Sequence, residues 1–181
     1  IIDEAYIDFS TNRSKIDLLN KYDSLFITRT FSKAYGMAGI RVGYVLSNEK
    51  NIEEVNKVRP LHNVNSLGIK FASYLLKNNF IVKKSVKQIN LSKSIVYKFC
   101  KKNNLKYLTS ETNFVNIFFR EKICKDIYNF LKKKKILIRL RNFKTKNKDL
   151  YSIRISLGYK KSTSLFLKYL LNYLKVNEVQ K

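Results

Sequence analysis

A lysine, a carboxylate and two arginines are the residues of this 181-residue chain whose types and spacing could do chemistry together. Lys33 follows Ser32 in the stretch TRTFSKAYGMAGIRVGY, residues 28–44, where the apolar run Leu25-Phe26-Ile27 breaks into small polar residues. Eight residues later Arg41 opens a second apolar run. Asp3 stands after Ile1-Ile2, with Tyr6 three positions on, and Arg154 lies in the late run Ser152-Ile153-Arg154-Ile155-Ser156. An unprotonated lysine amine attacks carbonyls. A carboxylate holds a neighbouring cation, and a guanidinium forks onto carboxylate or phosphate. Alone, Lys33 would be an ordinary solvated lysine and Asp3 a satisfied turn carboxylate. Their meaning depends on whether the fold carries them to one place.

The patterning predicts the elements that would do so. Ile1-Ile2 reads as a strand end entering a loop at Asp3. Residues 14–20 suggest a short helix, Leu25–Thr30 a second strand and Arg41–Ser47 a third. Asn48 can cap a helix starting at Glu49, which must stop before Pro60, the only proline. A long helical pattern follows to about residue 104, with Leu67, Phe71, Tyr74 and Leu75 at helical spacing and a break at Asn78-Asn79. Tyr107–Thr109, Phe114–Phe119, Ile136–Arg139 and Tyr151–Leu157 read as strands. Ile123–Lys135 reads as a helix whose C-terminal lysines suit the helix dipole. Ser162–Leu174 reads as a closing amphipathic helix with Leu165, Tyr169, Leu170 and Tyr173 on one face. The expected fold class is α/β, with residues 1–87 part of a sheet domain and residues 88–181 a second, α+β unit.

One cofactor uses all of these residue types. Pyridoxal phosphate needs a lysine for its aldehyde, a carboxylate for its ring nitrogen, and an arginine with hydroxyls for its phosphate. An amino-acid substrate adds a carboxylate that needs a further arginine. The segments DEAYIDF, TRTFSKAYGMAGIRVGY, SETNFV and SIRISLGY, in this order, resemble the fold-type I, class I/II aminotransferases, and most the histidinol-phosphate aminotransferase subgroup. The resemblance runs over almost the whole chain. It implies the C-terminal half of the family's length: part of the large cofactor domain, a mixed sheet flanked by helices, in residues 1–87, and the C-terminal α+β small domain in residues 88–181.

The resemblance also implies roles. Asp3 would pair the pyridine nitrogen and Tyr6 would contact the ring oxygen. Lys33 would form the Schiff base and shuttle the proton, while Ser32 and Arg41, with Thr30 nearby, would hold the phosphate. Arg154 would grip a substrate carboxylate and Arg139 a second substrate anion. The family usually places Asp straight after that arginine; here Leu140-Arg141 follow. The implied reaction moves an amino group from L-histidinol phosphate to 2-oxoglutarate, in histidine biosynthesis, in a cytoplasmic homodimer. Further cofactor contacts would come from upstream segments, so the 181 residues alone are expected to be poorly active or inactive. The segment RPLHNVNSLGIKFA also resembles relatives with other substrates. Threonine-phosphate decarboxylase-like enzymes and aminotransferases for other phosphorylated or sugar-pathway amines are therefore the rivals on the same scaffold.

Charge invites a different reading. The 37 basic and 13 acidic residues leave a net +24, which suits a nucleic-acid partner. Yet 29 of the cations are lysines spread along the chain, and the only tight run is Lys132–Lys135. Nucleic-acid readers cluster their charge and favour arginine forks, so a lysine-rich solvated surface is expected instead. Asp-Glu-Ala after an apolar pair also resembles the box of a DEAD-type ATPase. That reading needs a Gly-x-x-x-x-Gly-Lys-[Ser/Thr] loop, which this chain lacks, and leaves Ser32-Lys33 to Arg41 without a role. Cys100, Cys124 and the single His62 have no metal-ligand spacing. No metal is expected; the thiols read as buried and free in a reducing compartment, and His62 as a loop or interface residue. No apolar run approaches the roughly 20 residues of a membrane helix.

Overall fold

Strand β1 (Ile2–Asp3) lies parallel to β2 (Ile27–Thr30), with Ile2 opposite Ile27 and Asp3 opposite Thr28. Strand β3 (Gly43–Leu46) runs antiparallel on the other side of β2. This computed structural model describes residues 1–61, 64–146 and 149–177, so His62 lies outside the described residues. It divides into two compact units, Ile1–Val86 and Lys87–Lys181.

In the first unit two 3-10 turns, Ile7–Phe9 and Ile16–Asn20, fill the connection from β1 to β2. The second stands where a short helix was expected. Helix α1 (Glu49–Val58) opens on the Asn48 side chain, whose oxygen accepts from the Asn51 N–H, and it stops two residues before Pro60. Helix α2 (Ser66–Lys77) opens in the same way on Asn65, which accepts from the Gly68 N–H. Asn78 ends it and Asn79 begins α3 (Asn79–Lys102). At the break the Asn78 backbone N–H and its side-chain amide both donate to the Tyr74 carbonyl, while Asn78 itself leaves helical geometry at a ψ of 45°.

The face that α2 buries differs from the expected one. Leu67, Phe71 and Tyr74 are exposed, whereas Gly68 and Ala72 face inward. The inward neighbours are Phe31, Met37 and Val42, with Tyr35, Ile40 and Leu75 packed around them. A Cβ on Gly68 would come within 2.7 Å of Val42 Cγ2 and 2.9 Å of Ile40 Cγ2. Only small residues allow the helix that close.

The second unit is an antiparallel sheet in the order β4 (Phe114–Phe118), β6 (Asp149–Ser156), β5 (Arg139–Lys144). Helices α4 (Glu121–Lys133) and α5 (Lys160–Val176) pack with its inner face. Val115, Ile117, Ile153 and Ile155 line that face and meet Ile127, Leu131, Phe166 and Leu170 in one core. The buried face of α5 is Thr163, Phe166, Leu167, Leu170 and Tyr173, so Leu165 turns outward, against expectation. The expected strand Tyr107–Thr109 is reduced to a bridge between Tyr107 and Ile117.

Ile136–Arg139 was also expected to be a strand, but pairing begins only at Arg139. Lys135 adopts a left-handed φ of 58°, and the Ile136 N–H returns to the Leu131 carbonyl, closing α4. The chain then drops Ile138 into the core before it reaches the sheet. β5 itself is exposed along its whole length, as suits an edge strand of arginines and lysine.

Candidate active site

Three chemistry-bearing residues stand at one end of the first sheet. Asp3 ends β1, Lys33 follows the C-terminal end of β2, and Arg41 precedes the N-terminal end of β3. Because β1 and β2 are parallel and β3 is antiparallel, all three termini fall on the same side. The carboxyl ends of strands in open α/β sheets are where ligands bind.

The loop after β2 is built from the sequence that breaks the apolar run. Phe31 and Ala34 point inward and are buried, so Ser32 and Lys33 turn toward the outside. The Thr30 hydroxyl accepts from the Ser32 N–H at 3.0 Å and reaches the Val42 carbonyl at 3.3 Å. The Phe31 N–H donates to the same carbonyl. Thr30, Ser32 and the residue beside Arg41 are thereby tied together.

Arg41 is not a strand residue. Its φ is 61°, in the left-handed region that costs a side-chain-bearing residue energy, and its Nη1 donates to the Ala38 carbonyl at 3.1 Å. Its turn is held from behind by α2: the Asn65 side chain caps that helix and also donates to the Ile40 carbonyl at 3.0 Å.

Lys33 is exposed. Its Nζ lies 5.3 Å from the centroid of the Tyr6 ring, a cation–π distance. Asp3 is exposed too. One of its oxygens accepts from the Ala5 N–H at 2.9 Å and from the Thr28 hydroxyl at 3.4 Å.

The buried carboxylate of this region is the next residue, Glu4, which sequence reasoning passed over. It accepts from the Ser14 hydroxyl, from the Lys15 N–H at 2.6 Å and from Arg29 Nε at 3.0 Å, with Arg29 Nη2 at 2.9 Å. Burial by itself would raise the Glu4 carboxyl. The Lys15 N–H, the Ser14 hydroxyl and the Arg29 guanidinium outweigh it and hold the group below the usual carboxylate range. Arg29 sits between Thr28 and Thr30 on β2, so this pair ties the end of β1, where Asp3 lies, to the strand that leads to Lys33. A charged residue inside an apolar strand pattern was the signal available for it.

In the second unit, Arg154 on β6 is the direct cross-strand partner of Arg139 on β5 and of Asn116 on β4. Its guanidinium lies 4.4 Å from the Phe114 ring centroid. The two arginines expected to bind substrate anions therefore share one face of this sheet. Among the described residues no group of three or more His, Cys, Asp or Glu could hold a metal ion. None of the described helices is long and apolar enough to cross a membrane.

The chain is similar to known proteins over most of its length. The family described as aminotransferase class I and II matches residues 1–166. Histidinol-phosphate aminotransferase 2 of Haemophilus influenzae (strain 86-028NP) is 33% identical over 179 residues, 97% of this chain and 48% of that protein. The crystal structure of histidinol-phosphate aminotransferase from Sinorhizobium meliloti, in complex with pyridoxal-5'-phosphate, superposes with a TM-score of 0.83 at 27% identity, over 96% of this chain and 48% of that one. L-threonine-O-3-phosphate decarboxylase from Porphyromonas gingivalis shares the fold, with a TM-score of 0.78 at 22% identity, over 96% of this chain and 54% of that one. The chain spans about half the length of the curated relatives it matches.

Proposed function

Because the chain belongs to the class I and II aminotransferase family, we propose that it anchors cofactor and substrate in an enzyme that moves an amino group from L-histidinol phosphate to 2-oxoglutarate. The products are imidazole acetol phosphate and L-glutamate. The observation that carries this reading is the placement of Asp3, Lys33 and Arg41 at one end of β1, β2 and β3.

Pyridoxal phosphate is the cofactor of this family, and the donor set fits it. An exposed amine stands over an aromatic ring, a carboxylate lies at a strand end, and hydroxyls and a guanidinium flank the turn. When bound, the cofactor supplies an electron sink for a proton lost next to nitrogen. Asp3 would hold its ring nitrogen, Tyr6 its ring oxygen, and Thr30, Ser32 and Arg41 its phosphate. Lys33 would hold it covalently and, once displaced by the amino donor, take the proton from the donor's Cα. Arg154 would bind a substrate carboxylate and Arg139 a second anion. Arg154 and Arg139 lying opposite each other in the sheet supports a substrate with concentrated negative charge.

The proposal extends to a homodimer in a reducing cytoplasm, consistent with two buried free cysteines. The outward apolar residues Leu67, Phe71 and Tyr74 of α2 provide surface for a subunit contact. The 181 residues by themselves are expected to turn over poorly. A phosphorylated amino acid carrying both a carboxylate and a phosphate would also satisfy Arg154 and Arg139, which keeps a threonine-phosphate decarboxylase as the second reading.

The test uses the natural gene product that contains these residues. Its visible spectrum with pyridoxal phosphate is recorded beside that of Lys33→Ala, before and after L-histidinol phosphate and then 2-oxoglutarate. A Lys33-dependent band that is lost with the first and restored by the second supports the reading. A band indifferent to histidinol phosphate, with carbon dioxide released from threonine phosphate, selects the second reading. A folded protein with no band refutes both.

A further inference from the structure

Arg141, the residue after the Leu140 that stands where the family usually has Asp, falls on a particular face of the second sheet. Side chains alternate along a strand, so Arg139 and Arg141 project to the same side, about 7 Å apart along β5. Arg139 is the cross-strand partner of Arg154, and Arg141 of Ser152. Register therefore assembles Arg154, Arg139 and Arg141 on one surface, with Phe114, Asn116 and Phe118 beyond them on β4.

No carboxylate from these strands shares that surface. Asp149, the only acid in β4, β5 or β6, is the partner of Lys144 and accepts from the Asn142 amide, so it belongs to the opposite side. Leu140, at the position where the family usually has Asp, also alternates to that side. Like charges directly opposite in a sheet oppose pairing. An edge strand needs charge to stay soluble, but lysines far from Arg154 would have served that purpose.

We propose that Arg141 is a specificity-determining residue: together with Arg139 it forks onto a doubly charged phosphate ester on the substrate, while Arg154 lies at the other end of the row. This rests on the aminotransferase reading above and adds to it a second residue, beside Arg139, that reads the donor's phosphate. Two guanidiniums match three phosphate oxygens better than they match a single carboxylate.

Binding is measured by calorimetry on the natural gene product carrying Lys33→Ala, which cannot turn over. The paired probes are L-histidinol phosphate and L-histidinol, which differ by the phosphate alone. Arg141→Met, Arg141→Lys and Lys144→Met are compared, with circular dichroism as the folding check. The parent is expected to favour the phosphorylated probe by about 100-fold, and Arg141→Met to lose about 10-fold of that margin. Arg141→Lys should keep part of it, as a point charge without the fork, and Lys144→Met all of it. A margin unchanged in Arg141→Met, or no margin in the parent, overturns the proposal. An Arg141-dependent margin in a protein that forms no Lys33-dependent band would instead refute the aminotransferase reading and leave the role of Arg141 standing.

Discussion

The amine of Lys33 lies 5.3 Å from the centre of the Tyr6 ring, although the two are 27 positions apart in the chain. The contact joins the loop after β1 to the loop after β2, and so links two of the residues proposed to hold the cofactor. An exposed pair of this kind contributes roughly 0.5–1 kcal/mol, enough to bias the lysine toward the site without locking it there.

Tyr6→Phe keeps the ring beneath Lys33 and removes only the hydroxyl. In the natural gene product, Lys33 should still be the residue that borohydride reduction links to pyridoxal phosphate, as read by mass spectrometry. The affinity for the cofactor should fall by about 10-fold, the worth of one lost hydrogen bond. Unchanged affinity would remove Tyr6 from the cofactor site.

Glu4 and Arg29 should matter to stability rather than to charge on the surface. Glu4→Gln leaves a partly buried guanidinium without its carboxylate and should cost about 2–3 kcal/mol in denaturant unfolding at pH 7. The folded-state pKa of Glu4 lies below the 4.5 of a free group, so its contribution is complete above that pH and is lost as pH falls through the lower folded value. The stability difference between parent and Glu4→Gln should therefore shrink in acid below about 4.5. A difference that stays constant with pH would mean that the pair is not the source of the loss.

Gly68 connects helix packing to the arginine turn. Gly68→Ala must displace Ile40 and Val42, the neighbours of Arg41 on either side, because the new methyl would meet their branched side chains below 3.0 Å. The expected cost is about 1–3 kcal/mol of stability, accompanied by weaker cofactor binding in the natural gene product. Stability lost with cofactor affinity intact would separate the helix contact from the site.

The thiols should be inert. Burial pushes Cys100 up to about 12 and Cys124 up to about 11, so almost no thiolate exists at neutral pH. A disulfide reagent at pH 7.5 should find no reactive thiol in the folded chain and both after denaturation. A fast-reacting native cysteine would show that one of these side chains is accessible.

Much of this was legible in the chain itself because it depends on local geometry. Asn48 before an acidic first turn fixes where α1 begins, and Pro60 fixes where it must end. The order Asp3, Tyr6, Ser32-Lys33, Arg41 carries the resemblance to the class I and II aminotransferases, the family to which the chain belongs. The break at Asn78-Asn79 is local too, an asparagine whose backbone N–H and side-chain amide both close on the Tyr74 carbonyl.

What the sequence could not decide is which side of each element meets the rest of the protein. Helix α2 carries apolar residues on several faces, and periodicity favours the large ones. The fold instead buries Gly68 and Ala72, because only small side chains let the helix approach Ile40 and Val42. Asp3 and Glu4 are adjacent carboxylates with equal claims to burial; only Ser14, Lys15 and Arg29, brought in by the chain's return, select Glu4. Nor does any spacing reveal that Arg139 stands opposite Arg154. Strand register is set by contacts between distant segments, so residue types and their order belong to the sequence, while the face they share belongs to tertiary structure.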